Sequence, residues 1–129
     1  MKVWVQRVNE ASVTIEGECV ASIGKGYLVL FSVTHDDTEA MSDKLAQRLV
    51  KLRIFEDENG KTNRSIVDVN GSIIVVSQFT LYADTKHGNR PGFSAAARPE
   101  LAIPLYERFV ADISAALGLE RVGTGCFGA

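Results

Sequence analysis

The stretch Ile73-Ile74-Val75-Val76-Ser77-Gln78-Phe79-Thr80-Leu81 decides how this chain is read. Four β-branched residues in a row cannot alternate between core and water, so Ile73 to Val76 reads as a strand buried on both faces. The run then breaks into small polar side chains, Ser77, Gln78 and Thr80, around Phe79. Ten residues after Thr80 comes Arg90-Pro91-Gly92-Phe93-Ser94. Pro91 forces Arg90 into an extended conformation, and Gly92 lets backbone approach a ligand closely. A polar strand end facing a stiff, turn-rich loop is a candidate binding site.

Working outward, Tyr27-Leu28-Val29-Leu30-Phe31-Ser32-Val33 is a second apolar run and predicts another doubly buried strand. Val3, Val5 and Val8 sit near a period of two and predict a strand over about 2–9. Val13 and Ile15 alternate with polar neighbours, Gly17-Glu18 turns the chain, and Val20 to Ile23 return, predicting a hairpin. Gly24-Lys25-Gly26 is a further turn. Asn70-Gly71 predicts a second hairpin, joining Ile66–Val69 to Ile73–Phe79.

Helix signals lie between the strands. Asp36-Asp37-Thr38-Glu39 supplies N-cap chemistry, and Met41, Leu45, Leu49 and Leu52 recur at helical spacing, predicting an amphipathic helix over about 38–52. Leu105, Phe109, Ile113 and Leu117 form one stripe of a helix over about 99–117. Pro104 fits it only if the regular helix starts near that proline or its first turn is irregular. Gly118 suits the C-cap, and Arg121-Val122 begins another strand. The sum is an α/β fold in a single domain, with two main helices and a largely antiparallel or mixed sheet.

The 129 residues are enough for one domain with a real core. Apolar content is 46% and net charge −2, so no global positive field attracts nucleic acid, and any RNA contact needs a local patch. Lys86, Arg90 and Arg98, with His87, form a short basic segment suited to phosphates or simply to solvent. Cys19 and Cys126 lack metal-ligand spacing and read as reduced thiols. Gln6 and Arg7 interrupt the N-terminus too early for a signal-peptide core, and no apolar stretch approaches the ~20 residues of a membrane helix. A cytoplasmic protein with no membrane partner is the expectation.

The chemistry at Ser77–Thr80 is limited. Hydroxyls and an amide offer no group that titrates near neutrality, so ordinary acid–base catalysis has no obvious agent. Such a segment can present backbone N–H groups to an oxyanion, position a water, or simply satisfy its own hydrogen bonds. His35 and His87 are the two histidines, and no Cys or carboxylate cluster stands at zinc-ligand spacing. A triad of Ser77, His87 and Asp84 can be drawn, but nothing in the sequence prefers it. Gly24-Lys25-Gly26 lacks the P-loop pattern.

In order and spacing, a set of strings along the chain resembles the D-aminoacyl-tRNA deacylases. They are Gln6-Arg7-Val8, Ala11-Ser12-Val13, Gly24-Lys25-Gly26, Arg53-Ile54-Phe55, Gly60-Lys61-Thr62-Asn63, Val76 to Leu81, Arg90 to Ser94 and Thr124-Gly125-Cys126-Phe127-Gly128-Ala129. The resemblance implies a three-layer α/β fold, a homodimer, no required cofactor or metal, and hydrolysis of D-aminoacyl-tRNA. It implies that Ser77, Gln78 and Thr80 line a catalytic pocket for the 3′-terminal adenosine and its amino acid; backbone N–H groups near Phe79 and Thr80 would then hold the oxyanion, and the residues themselves suggest that Arg90, Pro91 and Phe93 form a substrate-binding loop nearby. It further implies that Phe127 lies near the terminal adenine. Arg7 would help to hold a Gly-cis-Pro dipeptide that enters the pocket from the partner subunit. That dipeptide belongs to a segment following the position of Ala129, so either the protein continues past it, which is the expectation, or it lacks this half of the site. A non-catalytic RNA-binding protein on the same fold is the alternative reading.

Overall fold

The structure, a computed structural model, describes residues 1–78 and 96–125. Its centre is a four-stranded sheet in the order β1 (Lys2–Val8), β4 (Gly26–Ser32), β7 (Ser72–Ser77) and β8 (Val122–Thr124). β1 pairs antiparallel with β4, whereas β4–β7 and β7–β8 are parallel, so the sheet is mixed. Parallel neighbours need long crossovers. These are supplied by α1 (Glu39–Lys51), between β4 and β7, and by α2 (Pro99–Leu117), between β7 and β8. A small ribbon of β5 (Phe55–Glu56) and β6 (Thr62–Arg64) lies in the first crossover.

Three layers result. Tyr27, Val29 and Phe31 of β4 and Ile73 and Val75 of β7 face the helices and share one core with Leu105, Phe109 and Ile113. Phe31 and Phe109 stack with ring centroids 4.6 Å apart. The opposite face of β7 and β8 is covered by the hairpin β2 (Ala11–Ile15) and β3 (Glu18–Ile23). That layer sits very close: a Cβ on Gly123 would lie 2.9 Å from the Ala21 Cβ, so only glycine leaves room there.

The two helices run parallel. Ser42 Oγ donates to Leu105 O at 3.2 Å, and Arg108 binds Asp43 in bidentate fashion at 2.7 and 2.9 Å. The guanidinium holds the Asp43 carboxyl down at about 2, while the hydrogen bond with Asp43 raises neighbouring Asp112. The inner face of α1 is Ser42, Ala46 and Leu49, with Leu45 partly buried. Met41 and Leu52, expected inside, are exposed. Close approach of α2 selects small residues there, which a count of large apolar side chains misses.

Two further expectations are corrected. Residues 66–70 form a turn, not a strand, and β7 has no hairpin partner. Asn70 takes the left-handed conformation (φ 53) and Ile66 is a buried plug beneath the turn. The turn chemistry of Asn70-Gly71 was legible, but both sides of β7 are taken by parallel strands distant in sequence. In α2, Pro99 opens the helix and Pro104 lies inside it. Pro104 lacks only the N–H that would bond the carbonyl of exposed Glu100 in the first turn, where water can replace it.

Candidate functional site

The carboxyl ends of the three parallel strands meet at one edge of the molecule, the usual place for a ligand crevice in such sheets. Ser77 ends β7 in register with Phe31, and Gln78 N–H donates to Phe31 O at 2.8 Å. Two residues earlier, Val75 O accepts from the buried Tyr106 hydroxyl at 2.8 Å, which fixes α2 against this strand end. On the neighbouring strand, Ala97 N–H donates to Val33 O at 2.8 Å, and Thr34 bridges Ala96. The segment 79–95 therefore leaves and re-enters at carbonyls two residues apart. Phe79, Thr80, Arg90, Pro91 and Phe93 lie on it, outside the described residues, as does Phe127.

The same edge is braced by a buried ion pair. The Met1 ammonium lies 2.8 Å from Asp37 Oδ2, with side-chain exposures of 0% and 2%. Asp37 Oδ2 also accepts from Thr34 N–H at 2.7 Å. Of the N-cap stretch Asp36–Glu39, Thr38 is the cap, its Oγ1 accepting from Met41 N–H at 3.4 Å, while Asp37 serves the ion pair. Ser32, which closes β4, is buried, and its hydroxyl has no partner among the described residues. A buried unpaired hydroxyl at a ligand-facing strand end is a candidate contact. It was absorbed into the apolar Tyr27–Val33 run; the signal was a serine closing that run, as Ser77 closes the next.

Beyond β8, an apolar groove of about 710 Å³ opens at Thr124 and Gly125, with Tyr106, Val110 and Leu119 among its walls. Its chemistry suits a base or an apolar side chain rather than a charge.

Arg7 is elsewhere. It pairs in register with Tyr27, whereas Ser77 pairs with Phe31. Four residues along β4 is about 13 Å. Arg7 Nη1 donates to Ile54 O at 2.7 Å and, with Asn9, Lys25, Phe55 and Glu56, lines a polar groove of about 370 Å³. Beneath it Tyr27 stacks on Phe55 at 5.1 Å, and burial pushes its hydroxyl up to about 12 against the opposing pull of Arg7. Within one chain, then, Ser77 and Gln78 come together and Arg7 does not join them. Among the described residues no group of three or more His, Cys, Asp or Glu side chains could hold a metal. No described helix is long and apolar enough to cross a membrane.

The profile of the D-Tyr-tRNA(Tyr) deacylase family matches residues 4–129. The chain belongs to that family. A D-aminoacyl-tRNA deacylase of Bacteroides thetaiotaomicron is 55% identical over 129 residues, covering all of this chain and 85% of the relative. The one from Limosilactobacillus reuteri is 56% identical and is covered to 88%. Among solved structures, the c-Myc DNA Unwinding Element Binding Protein superposes with a TM-score of 0.92 at 38% identity, covering 100% of this chain and 87% of that one. A chain from "Structural Analysis of a probable eukaryotic D-amino acid tRNA deacylase" has a TM-score of 0.85, covering 98% of this chain and 88% of that one. At 19% identity it shares the fold alone. These structures agree with the α/β fold with two main helices and a mixed sheet expected from the sequence, and with the three layers that the resemblance implied.

Proposed function

We propose that this protein is a hydrolase that cleaves the ester between a D-amino acid and the 3′-terminal adenosine of tRNA, releasing free tRNA and the D-amino acid. The observation that carries the reading is the identity of 53–56% along the whole chain to D-aminoacyl-tRNA deacylases. It favours catalysis over an RNA-binding protein without activity. The aminoacyl ester is already activated, so electrostatic stabilisation suffices where no titrating base is at hand. Ser77 and Gln78 hold the substrate at the strand end, backbone N–H groups of Phe79 and Thr80 receive the oxyanion, and water attacks. The Thr80 hydroxyl or the substrate's 2′-hydroxyl orients that water. Arg90, Pro91 and Phe93 form the opposing wall, and Phe127 meets the terminal adenine. No metal or cofactor enters these steps.

The working unit is a homodimer in the cytoplasm, where tRNA is charged. What supports it is the position of Arg7, about 13 Å along β4 from the Ser77 register, in a groove of its own. A two-fold assembly lets each subunit give and receive one element of a site, including a Gly-Pro segment held by Arg7.

Chirality tests the reading. D- and L-amino acids carry identical groups, so the site must separate them by where those groups fall, and glycine has no side chain that a clash could reject. D-Tyr-tRNA should lose its amino acid rapidly, L-Tyr-tRNA should stay charged, and Gly-tRNA should be cleaved measurably. Equal rates on the two tyrosyl-tRNAs would sink the proposal. A second measurement concerns Thr80. As an orienting hydroxyl without a base to activate it, its loss in Thr80→Ala should slow turnover on the order of 10–10³-fold. Trapping an acyl-enzyme on Thr80 would overturn that role.

A further inference from the structure

We propose that the outward face of α1 is a docking track for the phosphate backbone of the RNA whose 3′ end is processed at the carboxyl edge of the sheet. The inference rests on the hydrolytic reading above and adds a surface that the reading does not need.

Lys44, Arg48 and Lys51 stand at positions i, i+4 and i+7 of α1, so they share one face and span roughly 10 Å of helix axis. All three are exposed, and with Gln47 and Leu52 they line a shallow groove of about 520 Å³. None has an ion-pair partner among the described residues. The helix has carboxylates, but they are spent elsewhere: Glu39 and Asp43 both bind Arg108 of α2, at 3.1 and 2.7 Å. The inter-helix clamp thus removes the negative charges from α1 and leaves a row of like charges, an arrangement that disfavours the isolated helix. The helix dipole favours cations in the last turn, which accounts for Arg48 and Lys51 but not for Lys44.

The placement matters as much as the charge. α1 begins just past Thr38, a few residues after Ser32 ends β4, so its N-terminus lies at the candidate site edge. From there the cationic row leads away along the helical layer. A nucleic acid whose last nucleotide sits at that edge must pass over some face of the protein. The whole chain is at −2, so attraction for its phosphates has to be local. Unpaired long cationic side chains on a convex helix suit a repeating phosphate backbone, which they contact without reading bases.

The test is the triple variant Lys44→Gln, Arg48→Gln, Lys51→Gln of the intact protein. Two readouts are used: binding of uncharged tRNA against salt, and kcat/KM on D-tyrosyl-tRNA and on the D-tyrosyl ester of adenosine. Each phosphate contact contributes a salt slope of about 0.7–0.9. The variant should flatten the tRNA-binding slope by about 2. On D-tyrosyl-tRNA at low salt, kcat/KM should fall about 10- to 100-fold, mainly through KM, and the adenosine ester should be cleaved as before. An unchanged tRNA-binding slope overturns the track. So does loss of binding to polyglutamate with tRNA binding intact, which would assign the face to an acidic polypeptide. A parent protein that cleaves neither ester defeats the hydrolytic reading, while the uncharged-tRNA slope still decides the track.

Discussion

Gly26→Ala should abolish folding or lower stability by more than about 4–5 kcal/mol, a large share of the 5–15 kcal/mol typical of a domain. The Cβ that alanine adds would stand 1.7 Å from Ser72 O and 2.7 and 2.8 Å from Ser72 C and N. These are backbone atoms of the paired strand, not the free end of a side chain, so they can move only by parting β4 from β7. Gly26 is paired with Ser72 at the first position of that parallel ladder, and the ladder sets Ser77 opposite Phe31. The defect would therefore reach the site edge as well as the core. Gly24→Ala is the control, because a Cβ there meets nothing within 4 Å. Urea unfolding of the two variants beside the parent decides the matter. A Gly26→Ala midpoint close to that of Gly24→Ala would refute the steric argument.

Asp37→Ala should be the next most damaging change, at about 3–5 kcal/mol, since it strands a buried charge. Its carboxylate contacts the Met1 ammonium at 2.8 Å and accepts the Thr34 N–H at 2.7 Å, in a part-buried setting where both side chains are at most 2% exposed. Without it the ammonium is unpaired and a backbone donor is orphaned. The expected fall in melting temperature is on the order of 10–20 °C for a domain of this size. Asp37→Asn keeps an acceptor for Thr34 but loses the charge, and should fall between the two. An alanine variant that melts with the parent would show that the pair is solvated in practice. Thr34 also bridges Ala96, so activity should drop before global unfolding does.

What local pattern could reveal, it revealed. The Tyr27 run, the Ile73 run and the Leu105–Leu117 stripe are core elements because their chemistry permits nothing else. What failed depended on distant partners. Asn70-Gly71 specifies a turn but not which strands flank it, and the neighbours of β7 come from residues 26–32 and 122–124. Ser42 and Ala46 became the inner face of α1 because α2 lies against them, and no property of α1 alone announces that. At the site, Ser77 and Gln78 were legible as the polar end of a buried strand. The separation of Arg7 from them was not, because it follows from the antiparallel register of β1 on β4.

The two anchor points of the segment 79–95 have an architectural meaning. Gln78 and Ala97 are fastened to Phe31 O and Val33 O, neighbouring rungs on one strand. Loop-closure entropy grows only slowly with length once the ends are held together. The two rungs thus bring Gln78 and Ala97 side by side through the sheet itself. A change in the number of residues between them would cost little in closure entropy, because the sheet holds both Gln78 and Ala97.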